Sequence, residues 1–234
     1  MTTLVQTLGL SPSLAFHDVF SIDDPDLLSF VPRPAHALLL VFPVSKSYES
    51  SRAHEDADRH DCFASNTNDS STADDNVIWY KQTIGNACGL IGLLHSVSNG
   101  AAKAQILPGS DLDSFVRDAS ALPPRERAAL IESSSALEKA HATAAAGGDT
   151  AAPEAGEDVD LHYVAFVKSE DSGELWELDG RRKGPIRRGT LGREEDVLSE
   201  RALGWGVRRF IKREEESGEG EVRFGLVVLA EALD

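Results

Sequence analysis

The run Ala35-His-Ala-Leu-Leu-Leu-Val-Phe42 is the part of this sequence that leaves the fewest folding options. It is apolar at successive positions instead of alternate ones, so as a strand it carries hydrophobic side chains on both faces and needs a covering layer on each. Val31-Pro-Arg-Pro34 before it forces extended backbone, and Pro43 follows it. A strand of this kind is a core element. The run is far shorter than the roughly 20 apolar residues that span a bilayer, and the N-terminus lacks a basic-then-apolar leader pattern. No membrane partner is expected, and the expected location is the cytoplasm, with the nucleus as a second candidate.

A chain of 234 residues buries about 70% of its surface in one or two domains, and one compact domain, 1–234, is the expectation. Its 23 basic against 39 acidic residues give a net charge of −16, which argues against nucleic acid as a partner because phosphate binding needs Lys and Arg. The two cysteines, Cys62 and Cys88, cannot build a disulfide framework and are expected as thiols.

Leu4 to Gly9 looks like a helix end, Leu14 to Phe20 a short strand, and Pro25 to Leu28 a helical turn. Tyr48 to Asn76 is acidic, Ser- and Asn-rich, and cannot bury enough surface to order itself alone; it reads as a loop or partly helical polar excursion, with 50–76 its most polar part. Asn86 to Val97 has apolar residues at helical spacing, with Asn86 the expected N-cap. Leu112 to Ala119 is a further helix, and Pro123-Pro124 opens another that runs through Leu137. Ala140 to Gly156 has the composition of a mobile segment. Leu161 to Lys168 and Gly173 to Asp179 form a hairpin, Arg181 to Thr190 a solvated basic loop, Glu194 to Glu216 a helix interrupted by Gly204 and Gly206, and Val222 to Ala230 a closing strand.

Cys88 falls in the first turn of a helix, where unpaired N–H groups and the positive dipole end favour a thiolate. Taken alone, it is better read as a buried helix cysteine, one of the commonest core residues. The hairpin changes the balance. A four-residue turn, Ser169 to Ser172, pairs Lys168 with Gly173 and places His162 directly opposite Asp179, with Cβ atoms roughly 5 Å apart. An imidazole there bonds the carboxylate and is held in one tautomer. Gln82, six residues before Cys88, offers an amide to an oxyanion beside the Cys88 N–H. His95 shares a helix face with Cys88 but lies about 10 Å along it, too far to take the thiol proton. The spacing of His54, His60 and Cys62 matches no strong zinc pattern, and no metal is expected.

Lys81-Gln-Thr-Ile-Gly-Asn-Ala-Cys88-Gly-Leu-Ile-Gly-Leu-Leu-His95 resembles the active-site motif of the ubiquitin C-terminal hydrolases, a family of cysteine proteases. The resemblance recurs at Val31-Pro-Arg-Pro34 through Phe42-Pro43, at Val159-Asp-Leu-His162 and at Glu174 to Arg181, in the family's order, and covers nearly the whole chain. It implies a papain-like α/β (α+β) fold with a central antiparallel sheet flanked by helices and a knotted backbone. It implies Cys88 as nucleophile, His162 as general base and acid, Asp179 as the residue orienting the imidazole, and Gln82 as oxyanion donor. No cofactor is implied. The implied substrate is ubiquitin carrying small or unfolded adducts at its C-terminal glycine, with the related modifier Nedd8 as a second candidate, and a monomer is expected. Residues 139–158 correspond to the family's crossover loop, through which the substrate tail passes. The acidic surface suits ubiquitin, whose tail carries arginines. Relatives carry about a strand and most of a helix before the segment resembling Leu4 to Gly9, so an uncovered sheet edge is expected here. If that gap misaligns the catalytic set, the chain instead holds ubiquitin without cleaving it.

Overall fold

The computed structural model describes residues 1–68, 77–146, 161–218 and 223–233. Six strands form one sheet: β1 (Leu14–Asp18), β2 (Ala37–Pro43), β3 (Leu161–Lys168), β4 (Glu174–Leu178), β5 (Ile186–Thr190) and β6 (Gly225–Glu231). Their order is β1-β6-β2-β3-β4-β5, and every neighbouring pair is antiparallel. The helices are α1 (Thr2–Leu8), α2 (Pro25–Ser29), α3 (Lys46–Asp56), α4 (Cys62–Ser65), α5 (Cys88–Val97), α6 (Asp111–Ala121), α7 (Pro124–Ser133), α8 (Ser135–Ala146), α9 (Glu200–Trp205) and α10 (Val207–Ser217).

The unbroken apolar run of β2 is explained by its position, paired on both edges and covered on both faces. Ala37 and Leu39 point with Ala165, Val167, Trp176, Leu178 and Leu229 into a core shared with α1 and α5 to α8. Leu38, Leu40 and Phe42 point with Val164, Phe166, Leu175 and Val228 into a second core shared with Tyr48 of α3, Leu203 of α9 and Phe210 of α10. Helix α5 lies close on the sheet because Gly92 faces it: a Cβ there would stand 3.1 Å from Leu39 Cδ2 and 3.3 Å from Tyr163 Cβ. A larger residue at this position would push the helix, and Cys88 with it, off β3.

Several sequence expectations are narrowed or corrected. The excursion over Tyr48 to Asn76 is partly helical, folding as α3 and α4, with residues 69–76 outside the described part. Its order is borrowed: Ser45 caps α3 by accepting from Tyr48 N–H, Tyr48 is fully buried, and the acidic side chains pair with arginines elsewhere. The helix opened by Pro124 breaks at Ser134 and resumes as α8, which carries helical structure through the first part of 139–158, while 147–160 lie outside the described residues. The helix over 194–216 begins only at Glu200, and its expected interruption falls at Gly206, where a Cβ would meet Phe166 at 3.0 Å. Gly204 has open space around it. The basic stretch 181–190 contains β5 and is not a solvated loop, since Arg182 and Arg188 are buried in ion pairs.

The hairpin register is also corrected. Lys168 pairs with Leu175, not Gly173, because the connection is two residues longer, with Ser169 N–H donating to Glu174 O and Gly173 taking a left-handed φ of 71°. His162 is therefore not directly opposite Asp179. The slip is even, however, and an even slip keeps every side chain on its original face, so the two residues remain diagonal neighbours.

Candidate active site

Cys88 is the first residue of α5, as its place in the sequence suggests, but the cap differs from expectation. Ala87 is the N-cap, no side chain caps the helix, and Asn86 turns the chain with φ of 57°. The first-turn N–H groups of α5 thus remain available beside the sulfur, which is the arrangement that favours negative charge at a helix N-terminus. The thiol lies against the start of β3, with Sγ 3.6 Å from Leu161 O.

From that same strand His162 reaches inward and is almost wholly buried. Its Nε2 bonds Asp179 Oδ1 at 2.7 Å, which fixes the ring and leaves Nδ1 as the nitrogen for proton exchange. Burial acts to lower the His162 pKa, but the charge and hydrogen bond of Asp179, with a smaller contribution from Cys88, raise it to about 9. Burial alone would raise the Asp179 pKa; instead, His162, the Tyr48 hydroxyl and the Arg181 N–H hold it far below the usual carboxylate range. Phe42 meets the His162 ring edge-on at 5.9 Å between centroids and closes one side of it.

Asp179 sits just past the end of β4, where the chain is laced to residues 79–82. Trp79 Nε1 donates to Asp179 O at 3.0 Å, Gln82 N–H donates to Gly180 O at 3.0 Å, and Lys81 Nζ donates to the carbonyls of Arg181 and Arg182. Gly180 permits this approach, since a Cβ would stand 2.9 Å from Gln82 Cβ. The Gln82 backbone is thereby fixed beside the carboxylate loop. Its side chain makes a long 3.3 Å bond from Nε2 to Ile84 O and buries Oε1 without a partner; among the described residues no hydrogen bond joins it to Cys88. His95 faces elsewhere, accepting the Tyr80 N–H through Nε2 at 2.9 Å in a fully buried position. His60 is occupied by Ser65 and Thr67.

Two features of the site have no local sequence signature. Tyr48, placed by sequence in a polar excursion, donates its hydroxyl to Asp179 Oδ2 at 2.5 Å. Arg182, read as part of a solvated loop, is fully buried and touches Glu55, Asp56 and Glu177, with Asp179 at 4.0 Å. The one clue was compositional: a cluster of arginines in a chain otherwise rich in acid.

A helix that begins with cysteine, next to a buried imidazole held by a carboxylate, is what a thiol hydrolase needs, and known proteins agree. The profile of ubiquitin carboxyl-terminal hydrolase, family 1, matches residues 1–212. Ubiquitin carboxyl-terminal hydrolase 3 of Arabidopsis thaliana is 37% identical over 224 residues, covering 95% of this chain and 86% of its own. Ubiquitin carboxyl-terminal hydrolase YUH1 of Saccharomyces cerevisiae is 35% identical over 190 residues, covering 79% and 72%. In fold, the chain is similar to the UCH37 catalytic domain of Trichinella spiralis bound to ubiquitin vinyl methyl ester, with a TM-score of 0.71, 21% identity, and 99% and 91% of the two chains covered. The chain belongs to ubiquitin carboxyl-terminal hydrolase family 1, and is a cysteine-type deubiquitinating hydrolase with that family's fold.

Proposed function

We propose that this chain, acting as one catalytic domain, releases small or unfolded adducts from the C-terminal glycine of ubiquitin, with Cys88, His162 and Asp179 as its catalytic set. The observation that carries this reading is the buried 2.7 Å bond between His162 and Asp179 at the N-terminal end of α5. His162 takes the Cys88 proton, and the sulfur attacks the glycine carbonyl, forming a C–S bond and a tetrahedral oxyanion. The unpaired N–H groups of the first turn of α5 stabilise that oxyanion, joined by the Gln82 amide once it swings from Ile84 O. His162 then gives its proton to the leaving nitrogen as the C–N bond breaks, leaving a thioester. Water, deprotonated by His162, attacks the thioester, and the C–S bond breaks to restore the thiol and free ubiquitin. Asp179 holds the imidazole throughout and stabilises its charged form.

The test is hydrolysis of a fluorogenic amide at the C-terminus of ubiquitin, with ubiquitin affinity measured alongside. Turnover is expected for the wild-type chain and its loss, with affinity kept, for Cys88→Ala. Turnover persisting in Cys88→Ala refutes the reading, and wild-type binding without turnover favours a protein that holds ubiquitin without cleaving it. The same amide built on Nedd8 measures the preference between the two modifiers.

A further inference from the structure

We propose that Tyr48 is a positioning residue for the reaction, donating from α3 to the second oxygen of Asp179 and so fixing which way the carboxylate presents its first oxygen to His162. This rests on the catalytic roles given above to His162 and Asp179. Oδ1 of Asp179 already receives two donors, His162 Nε2 at 2.7 Å and Arg181 N–H at 2.8 Å. Oδ2 receives the Tyr48 hydroxyl at 2.5 Å, while Arg182 Nε stands 4.0 Å away. A carboxylate turns about its Cβ–Cγ bond unless both oxygens are held, and a buried oxygen left without a donor is costly. Tyr48 therefore completes the set that locks the plane of Asp179, and through it the plane of His162.

The tyrosine is itself well held. It is fully buried, and its ring lies 4.9 Å from Phe42 and 6.4 Å from Phe210 by centroid, with the Arg213 guanidinium 5.4 Å from its face. Burial and the neighbouring carboxylate push its own pKa well up, so the phenol keeps its proton and remains a donor throughout the working range. Helix α3 is fastened to the same region by Glu55 and Asp56, both paired with Arg182. The helix thus carries a donor to Asp179 from an element that contributes no residue to the proposed catalytic set.

The experiment is a double-mutant cycle of Tyr48→Phe and Asp179→Asn, read as kcat and KM on the ubiquitin amide, with the His162 titration followed by NMR. Tyr48→Phe keeps the ring and is expected to lower kcat roughly tenfold to a hundredfold, as loss of a charge-assisted bond does. KM should stay within about twofold, the His162 midpoint should move by about half a pH unit or more, and in the Asp179→Asn background the substitution should have little further effect. Unchanged kcat and midpoint in Tyr48→Phe, or a full additive loss in the double variant, overturns the role of Tyr48. Unchanged kcat in Asp179→Asn instead sinks the catalytic assignment beneath it. Tyr48→4-aminophenylalanine supplies the second arm, since it keeps a donor at similar reach. Recovery of kcat to within about threefold of wild type supports the proposal, and a loss as deep as in Tyr48→Phe refutes it. If Tyr48→Phe fails to fold, the amino variant alone decides: its weaker donor should move the His162 midpoint, and an unmoved midpoint refutes.

Discussion

Acid should strip stability from this protein through a histidine that takes no part in the proposed chemistry. His95 is wholly buried in the last turn of α5, stacked against Tyr80 at 5.5 Å between centroids, and burial pushes its pKa down to about 3. Its Nε2 accepts the Tyr80 N–H, so protonating that nitrogen also breaks the bond. In the unfolded chain the same side chain titrates at 6.5. Between those values the unfolded state binds the extra proton, so the contribution is fully present above 6.5 and is lost as pH falls towards the folded value. Integrating from pH 7 to pH 4 gives a loss of about 3 kcal/mol from this one group, most of it below pH 6. In urea titrations the midpoint should fall by roughly 1 M over that range. His95→Gln removes the titrating group while offering a carbonyl oxygen to Tyr80 N–H, and should be less stable at pH 7 but flatter with pH. The difference between the two proteins isolates His95 from His36, whose pKa is also lowered by burial. Parallel curves for wild type and His95→Gln from pH 7 to 4 would show that the folded protein accommodates a charged His95, and the reasoning would fail.

Other outcomes follow from the same physics. Arg182→Met takes one of two cations from each of the buried carboxylates Glu177 and Asp56, leaving Arg188 and Arg59 to them, and should cost about 3 kcal/mol in urea unfolding. Gly92→Leu has no space between Leu39 and Tyr163 and should cost at least about 2 kcal/mol while lowering turnover, because the helix that carries Cys88 is displaced. Asp196→Ala removes the acceptor for Arg33, Ala35 N–H and Leu198 N–H together, a loss of about 1–3 kcal/mol visible in thermal melts. On the alkaline side His162 works oppositely to His95: its folded pKa of about 9 lies above the unfolded 6.5, so its contribution is whole below 6.5 and vanishes as pH rises through 9. Melts of His162→Asn should lack that alkaline decline.

The parts of the fold legible in the sequence are those where one local pattern suffices. The run at 35–42 demanded two covered faces, and the structure supplies two cores. The helical spacing from residue 88 placed Cys88 in the first turn of α5. The hairpin turn is two residues longer than its sequence suggests, yet His162 and Asp179 still meet, because an even shift of register leaves side chains on their face. What stayed hidden depends on long-range partners. The acidic residues of α3 look solvated until Arg182, after β4, and Arg188, in β5, pair with them, and Tyr48 has no visible purpose until Asp179 is placed beside it. The break at Ser134 answers to tertiary packing that local propensity does not contain, whereas the one at Gly206 is visible in its glycine.

The position of β6 bears on how the protein is made. Strand β6 follows β5 in sequence yet lies between β1 and β2, so the sheet stays in two pieces until residues 225–231 have been synthesised. Strand β2 has one edge unpaired until then, with Leu38, Leu39 and Leu40 on it, and that edge is a template for wrong pairing. The segment carrying Cys88, His162 and Asp179 is complete well before the strand that closes the sheet emerges. Closure of the sheet on the ribosome should therefore wait for β6, and a nascent chain stopped short of residue 225 should be held by chaperones instead of acting on substrate.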